Sequence, residues 1–263
     1  MTELRPVGAV RSVVRERGGM PSWGAPARVE VFPAFADALY RVEKHTHLWV
    51  LAWLDMGAPE RELLQVKPRG RKQEGDEALH GVFAVRSPAR PNPIGLTAAR
   101  VLAREGLTLH FDRLDFLDGT PVLDLKPYFP SRDGIYAAWS EGVGKPPSRQ
   151  ALREGLIIQA AHFLGAMTEE AALAVRIVEH YRATRCALQD PPAWRVAAPL
   201  HRGELVDALM GMTRVSLGRG TLGLHAGETV TLNDAAYALQ PFRGNPLEAE
   251  EHALFEAPAA ENP

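Results

Sequence analysis

A single cysteine, Cys186, stands in 263 residues, which excludes an internal disulfide and a metal site built on clustered thiols. An isolated thiol of this kind is expected to be idle or buried rather than a nucleophile. Long apolar runs are missing too. None approaches the ~20 residues that cross a bilayer, and the opening MTELRPVGAVRS has no hydrophobic stretch behind its charges, so a cytoplasmic protein is expected. Excess charge of one sign is also absent: 30 Lys and Arg face 32 Asp and Glu, a net charge of −2. No global basic field therefore invites nucleic acid, and any such contact has to be local. A Walker lysine is absent.

What the chain has instead is clustered proline. In Arg86-Ser87-Pro88-Ala89-Arg90-Pro91-Asn92-Pro93-Ile94-Gly95-Leu96, three prolines fix φ and push the residues before them into extended backbone. Such a loop holds its side chains in a fixed array. Arg86, Arg90 and the Asn92 carboxamide are suited to a carboxylate or phosphate, and Gly95 lets a ligand or another backbone come close. The bland alternative is a stiff connection with solvent-facing arginines. A second local feature is Lys67-Pro68-Arg69-Gly70-Arg71-Lys72, a candidate contact for phosphates, although Glu74, Asp76 and Glu77 follow at once and a solvated loop is the simpler reading.

The first half reads as short strands and turns: 29–32, 47–53, 81–85, 97–102, 108–111, 114–117 and 122–125, with one short helix over 35–42. Glu105-Gly106 and Asp118-Gly119 are turn signals. Strands this short and close predict a small antiparallel β-barrel. At 141–147, EGVGKPP breaks the pattern and the chain becomes Ala-rich and helical. The expected domains are a β-barrel over 1–140, an α+β domain over 148–243 and a loose tail over 244–263. Ser148 and Thr168 are placed to cap two helices, the second opening on Glu169 and Glu170. A third helix is expected near 204–212, followed by strands at 222–224 and 229–232.

The segments HGVFAVRSPARPNPIGLTAARV and LDFLDGTPVLDLKPYFP, with Pro6-Val7-Gly8-Ala9-Val10-Arg11-Ser12 and His47-Leu48-Trp49-Val50-Leu51 upstream in the same order, resemble the TsaA/TrmO family over residues 4–139. Members of that family methylate threonylcarbamoyl-adenosine in tRNA with S-adenosylmethionine. The resemblance implies a small barrel rather than a Rossmann methyltransferase, working as a homodimer with its site near the subunit interface. It implies donor contacts from Arg86 and Leu96, from Leu54 and Asp55, from Asp118, Gly119 and Thr120, and more weakly from Met20, Pro21 and Ser22. Where the family has His-Gln, this chain has Leu54-Asp55, so the polar contact there has to differ. Arg90, Asn92, Lys67 and Arg69 are the candidate acceptor contacts, with Arg71 and Lys72 beside them.

Methyl transfer from such a donor needs positioning and, for a nitrogen conjugated to a carbonyl, removal of a proton. Asp115, Asp118 and Asp124 are the nearby candidates for that base, and each is equally a turn or strand-end residue. His45 and His47 share one face of a strand, but a hydrogen-bonded structural role is expected for His47, and no metal is expected. The second domain resembles a degenerate FmdE-type domain in which residues such as Leu164 and Met212 fill cysteine positions. It is expected to serve packing, dimerisation or acceptor binding. Three functions stay open at this point: methylation of threonylcarbamoyl-adenosine in tRNA, methylation of a small molecule, and donor binding without turnover.

Overall fold

The structure is a computed structural model that describes residues 3–68, 78–138, 140 and 145–258. It forms two compact units, Met1–Ala138 and Trp139–Pro263. The first is a closed antiparallel barrel of six strands in the order β1-β2-β7-β6-β3-β8. These are β1 (Gly8–Ser12), β2 (Ala25–Val31), β3 (His47–Trp53), β6 (Ile94–Glu105), β7 (Thr108–Leu114) and β8 (Pro121–Pro127). Two short strands, β4 (Gln65–Val66) and β5 (His80–Gly81), pair outside the barrel, and single helical turns α1 (Ala58–Arg61) and α2 (Pro130–Asp133) lie in the same unit with three 3-10 turns.

Alternation closes the barrel. Along β3, Leu48, Val50 and Ala52 point inward and are buried, while His47, Trp49, Leu51 and Trp53 face outward. Val10, Val29, Ala99, Leu109, Phe111, Leu114, Phe116 and Val122 join them in one core. Register shifts between Ala25 and Ala27, between Leu51 and Ala52 and between Val101 and Ala103 supply the bulges that bend strands around a barrel this small.

Three local expectations are corrected. The strand expected over 81–85 ends at Gly81, because the chain turns there (Ala84 N to Gly81 O, 2.9 Å) and the Arg90 guanidinium takes the carbonyls a further strand would pair. The helix over 35–42 is two 3-10 turns, Pro33–Leu39 and Val42–Lys44, interrupted where Arg41 adopts φ 65°. The strand over 114–117 stops at Leu114, since Phe116 turns into the core and the corner continues to Gly119 at φ 78°.

The second unit packs α3 (Arg149–Leu164), α4 (Glu169–Arg185) and α5 (Gly203–Thr213) on one another and on a five-stranded sheet. Its strands are β9 (Val196–Pro199), β10 (Leu222–His225), β11 (Thr229–Leu232), β12 (Ala235–Leu239) and β13 (Phe255–Glu256), in the order β10-β9-β11-β12-β13. The β9–β10 pair is parallel and the others are antiparallel. Ser148 and Thr168 cap α3 and α4 by accepting from the backbone N–H of Ala151 and Ala171. Gly218-Arg219-Gly220-Thr221-Leu222-Gly223 fits the G-x-G-x-x-G spacing, but it runs from a loop into β10, not from a strand into a helix, so it is no dinucleotide cradle.

The loose tail expected from 244 is a further correction. The chain makes a helical turn, α6 (Glu251–Leu254), then β13 pairs with β12, and Leu254 and Phe255 are fully buried. Glu251 pairs with Arg149 and Arg176, Leu247 and Ala249 also pack on the core, and Arg153 and Arg176 donate to Leu247 O, contacts that disappear in a composition averaged over Pro, Glu and Ala. Among the described residues no helix is long and apolar enough to cross a membrane.

Candidate functional site

One end of the barrel gathers most of the residues singled out above. The DGT corner lies against β1: Asp118 N donates to Val14 O (2.9 Å), Gly119 N to Val10 O (2.9 Å), and Val10 N to Thr120 O (2.9 Å). The Asp118 carboxylate accepts from Ser12 N (3.1 Å), and Thr120 Oγ1 donates to Leu117 O (2.8 Å). Positive φ at Gly119 is what lets so tight a corner close.

The turn carrying Met20, Pro21 and Ser22 reaches the same corner. Gly24 N bonds Pro21 O (3.0 Å), and Gly24, at φ 85°, presses its backbone on Leu114, where a Cβ would come within 2.7 Å of the Leu114 carbonyl carbon. No other residue fits there. Next to Leu114, the Asp115 carboxylate is held by the Thr97 hydroxyl of β6. Two residues before Thr97, Gly95 packs on Phe116 and Leu54, a Cβ at Gly95 falling 2.5 Å from the Phe116 ring and 3.1 Å from Leu54 Cδ2. Leu54 N in turn donates to Pro93 O (2.8 Å), which ties the end of β3 to the end of the proline loop. Segments 20–24, 54–55, 93–97 and 114–120 therefore form one continuous surface.

That surface is open and mixed in character. Leu96 and Ile94 are exposed apolar side chains on the outer face of β6, opposite Leu51 and Trp53 of β3. Asp115 and Asp55 are exposed, and Asp118 is half-buried. Arg86 is exposed and has no hydrogen-bond or ion-pair partner among the described residues. The carboxylates and the apolar floor belong to this surface, and the proline loop joins it at Pro93, seven residues after Arg86.

Other expected residues are placed differently. Arg90 is turned into its own loop: its Nε donates to Ser87 O (2.7 Å) and its Nη2 to Val82 O (2.7 Å) and to Val85 O. It clamps the loop. Asp124 sits further along β8, paired with Lys126 (2.6 Å), and lines a separate cavity of about 210 Å³ with Phe35, Leu39, His45 and Leu48. Asn92 and Lys67 are exposed; Arg69, Arg71 and Lys72 lie outside the described residues. His47 bonds Thr46 Oγ1 (2.9 Å) beside Tyr128, and burial lowers its pKa. Cys186 is half-buried and burial raises its thiol pKa, which leaves less thiolate. Among the described residues no three His, Cys, Asp or Glu gather as metal ligands.

The sequence reading missed three contributors. Thr97 fixes Asp115. Arg17 braces the end of β3 by donating to Asp55 O (3.1 Å) and Met56 Sδ (3.0 Å) and pairing with Glu60 (3.2 Å); the Gly57 N–H first, and Arg17 after it, lower the Glu60 pKa. Gly24 permits the docking described above. Only Gly24, isolated between Trp23 and a strand, carried a readable signal.

Residues 9–134 match the tRNA-methyltransferase O N-terminal domain. A probable S-adenosyl-L-methionine-binding protein of Archaeoglobus fulgidus is 40% identical over 184 residues, covering 67% of this chain, while the chain spans about half, 47%, of that relative's length. A putative S-adenosylmethionine-dependent methyltransferase, RcsF, of Pseudomonas aeruginosa is 33% identical over 214 residues, 76% of this chain and 86% of its own. The tRNA (adenine(37)-N6)-methyltransferase of Escherichia coli is 31% identical over 144 residues, 51% of this chain and 60% of its own. With its barrel matched to that domain and a relative covered over most of its length, the chain belongs to the TrmO family.

Proposed function

We propose that this protein binds S-adenosylmethionine at the open end of its barrel and transfers the methyl group to N6 of threonylcarbamoyl-adenosine in tRNA. The observation that carries the reading is the gathering of 20–24, 54–55, 93–97 and 114–120 on one surface. The names of the relatives above support the donor, and the Escherichia coli relative's name supports the acceptor. When bound, the donor supplies an already activated methyl group, so no metal is needed. Arg86 is assigned to the donor carboxylate, as a charge-assisted pair. Asp118 keeps one oxygen on Ser12 N and has its other for an ammonium or an adenine amine, and Asp55 offers a second carboxylate where the family has glutamine. Leu54 and Leu96 supply apolar contact.

Asp115 is the assigned proton acceptor. Thr97 holds one of its oxygens and the other is left to the acceptor nitrogen, whereas Asp124 is paired elsewhere. Lys67, with Arg69, Arg71 and Lys72, is assigned to tRNA phosphates. We further propose a homodimer, supported by the outward apolar row Ile94, Leu96, Leu51 and Trp53, of which Ile94 and Leu96 are exposed while Arg61 stacks on Trp53. Calorimetric titration tests the donor: saturable S-adenosylmethionine binding is expected, and none would refute the reading. Steep weakening of tRNA binding with added salt is expected, because phosphate contacts release counterions; salt-insensitive turnover of a small acceptor would move the assignment away from RNA.

A further inference from the structure

The end of the barrel opposite the DGT corner holds the cavity of about 210 Å³. Leu48, at the start of β3, lines it, and Leu54, just past the end of the same strand, lies on the donor surface, about 20 Å away at the rise of an extended chain. The cavity's wall is mostly apolar, made by Val7, Val31, Leu39, Leu48 and Leu125 with Phe35. The two 3-10 turns over 33–44 cross it as a strap that is pinned at both ends: Phe32 N donates to Val7 O (2.9 Å) and Val101 N to Thr46 O (2.9 Å). Between those points Arg104 donates to Leu39 O (2.9 Å) and pairs with Glu43 (3.4 Å). The fold itself therefore forms this space.

The polar residues lining the cavity differ in one respect. Asp124 is satisfied, with one oxygen on Leu125 N (2.9 Å) and the other on Lys126 (2.6 Å). Arg41 and His45 are not. The Arg41 guanidinium rests on the Tyr40 ring (4.9 Å) and has no hydrogen-bond or ion-pair partner among the described residues. The His45 ring meets Phe129 edge-on (5.6 Å), and neither of its nitrogens has a hydrogen-bond partner among the described residues. Arg41 also takes the left-handed φ of 65° that separates the two turns of the strap, a conformation costly for any residue with a Cβ.

We propose that this cavity binds a small organic carboxylate, its apolar body among Val31, Leu39 and Leu48 and its carboxylate on Arg41 and His45. An apolar wall with a few convergent polar groups is the make-up of a small-molecule site, and a volume below the roughly 300–1,000 Å³ of a drug-sized site fits a ligand of about ten heavy atoms. A guanidinium and an imidazole offer N–H donors, and the two oxygens of a carboxylate accept from both. A cationic ligand finds no such partner, because Lys126 and Leu125 N already hold the Asp124 carboxylate. None of these residues belongs to the donor surface, so this inference stands apart from the function proposed above.

The test titrates the full chain with three probes of nearly equal shape, phenylacetate, phenylacetamide and phenethylamine, read by calorimetry and by the methyl resonances of Val31, Leu39 and Leu48. Phenylacetate is expected to bind saturably and to shift those methyls, with the amide and the amine weaker on the order of tenfold or more, the scale of a charge-assisted hydrogen bond. Arg41→Gln and His45→Phe should each weaken phenylacetate by roughly that factor while leaving the amide as it was. Ala38→Leu, which fills the cavity, should abolish binding of all three. An unchanged melting temperature shows that each variant folds. Absence of phenylacetate binding, equal binding of the amide, or an Arg41→Gln protein that binds like the parent would overturn the inference. Displacement of phenylacetate by S-adenosylmethionine would overturn it too, by placing the probe on the donor surface. A protein that binds phenylacetate but no S-adenosylmethionine would sink the proposed function and leave this inference standing.

Discussion

Arg86 and Arg90 lie four residues apart in one loop and have opposite fates. Arg90 spends its guanidinium on three carbonyls of the loop, while Arg86 has no partner among the described residues. Arg86→Ala is therefore expected to weaken S-adenosylmethionine binding by about 1.5–3 kcal/mol, the scale of a charge-assisted hydrogen bond, with little change in melting temperature. An unchanged calorimetric affinity would remove Arg86 from the site. Arg90→Lys should do the reverse, opening the loop to protease cleavage, because an ammonium cannot span the carbonyls a guanidinium fork reaches. Gly95→Ala would push a methyl into Phe116, 2.5 Å away, at about 1–3 kcal/mol of overpacking, measured by denaturant unfolding. The sequence marks both arginines equally as ligand contacts, since the direction each side chain takes is set by carbonyls that only the folded turn brings together.

At the scale of elements, α4 is the most buried part of the second unit, and it carries charge. Glu179 is fully buried beneath Arg149 (2.6 Å) and Arg153 (2.7 Å), with Arg176 at 3.6 Å. Glu179→Gln would leave these guanidiniums facing a neutral amide. Breaking a buried pair costs about 3–5 kcal/mol, and the lower end is expected because Arg149 and Arg153 keep contact with water. A smaller shift than about 1 kcal/mol in denaturant unfolding would contradict the assignment.

The same helix holds His180 between Tyr237 and Phe255, beside Glu251 and facing Arg149, Arg176, Glu179 and Arg185. Burial first, then the Arg149 charge, lower its pKa from 6.5. The unfolded chain consequently binds a proton more readily, so this histidine's contribution to stability is intact above pH 6.5 and is lost as pH falls through that value toward the lower folded pKa. Melting temperatures of the parent should drop between pH 7.5 and 5.5 more than those of His180→Gln; equal slopes would refute the link. The caps of α3 and α4 were legible because Ser148 and Thr168 act through their immediate neighbours. The docking of 251–256 was not legible, since Glu251 finds Arg149 and Arg176 only across the fold.

For the molecule as a whole, the alternation of β3 and the spacing of turns made the barrel readable, and the motif order made the family readable over 4–139. The site was partly readable. Its segments could be named, but their convergence depends on Gly24 against Leu114, Thr97 against Asp115 and Gly95 against Phe116, contacts far apart in sequence that no local pattern encodes. If the apolar row on β3 and β6 joins two copies, sedimentation should give a dimer that Leu96→Glu dissociates; a concentration-independent monomer would refute it.

Methyl transfer to tRNA at the barrel's end, as proposed above, is open to a decisive experiment. Its most direct measurement is incubation of the protein with isotopically labelled S-adenosylmethionine and total RNA, followed by mass spectrometry of the digested nucleosides. Label on N6 of threonylcarbamoyl-adenosine is expected, greatly reduced by Asp115→Asn. Label in no nucleoside, from protein that demonstrably binds the donor, would contradict it.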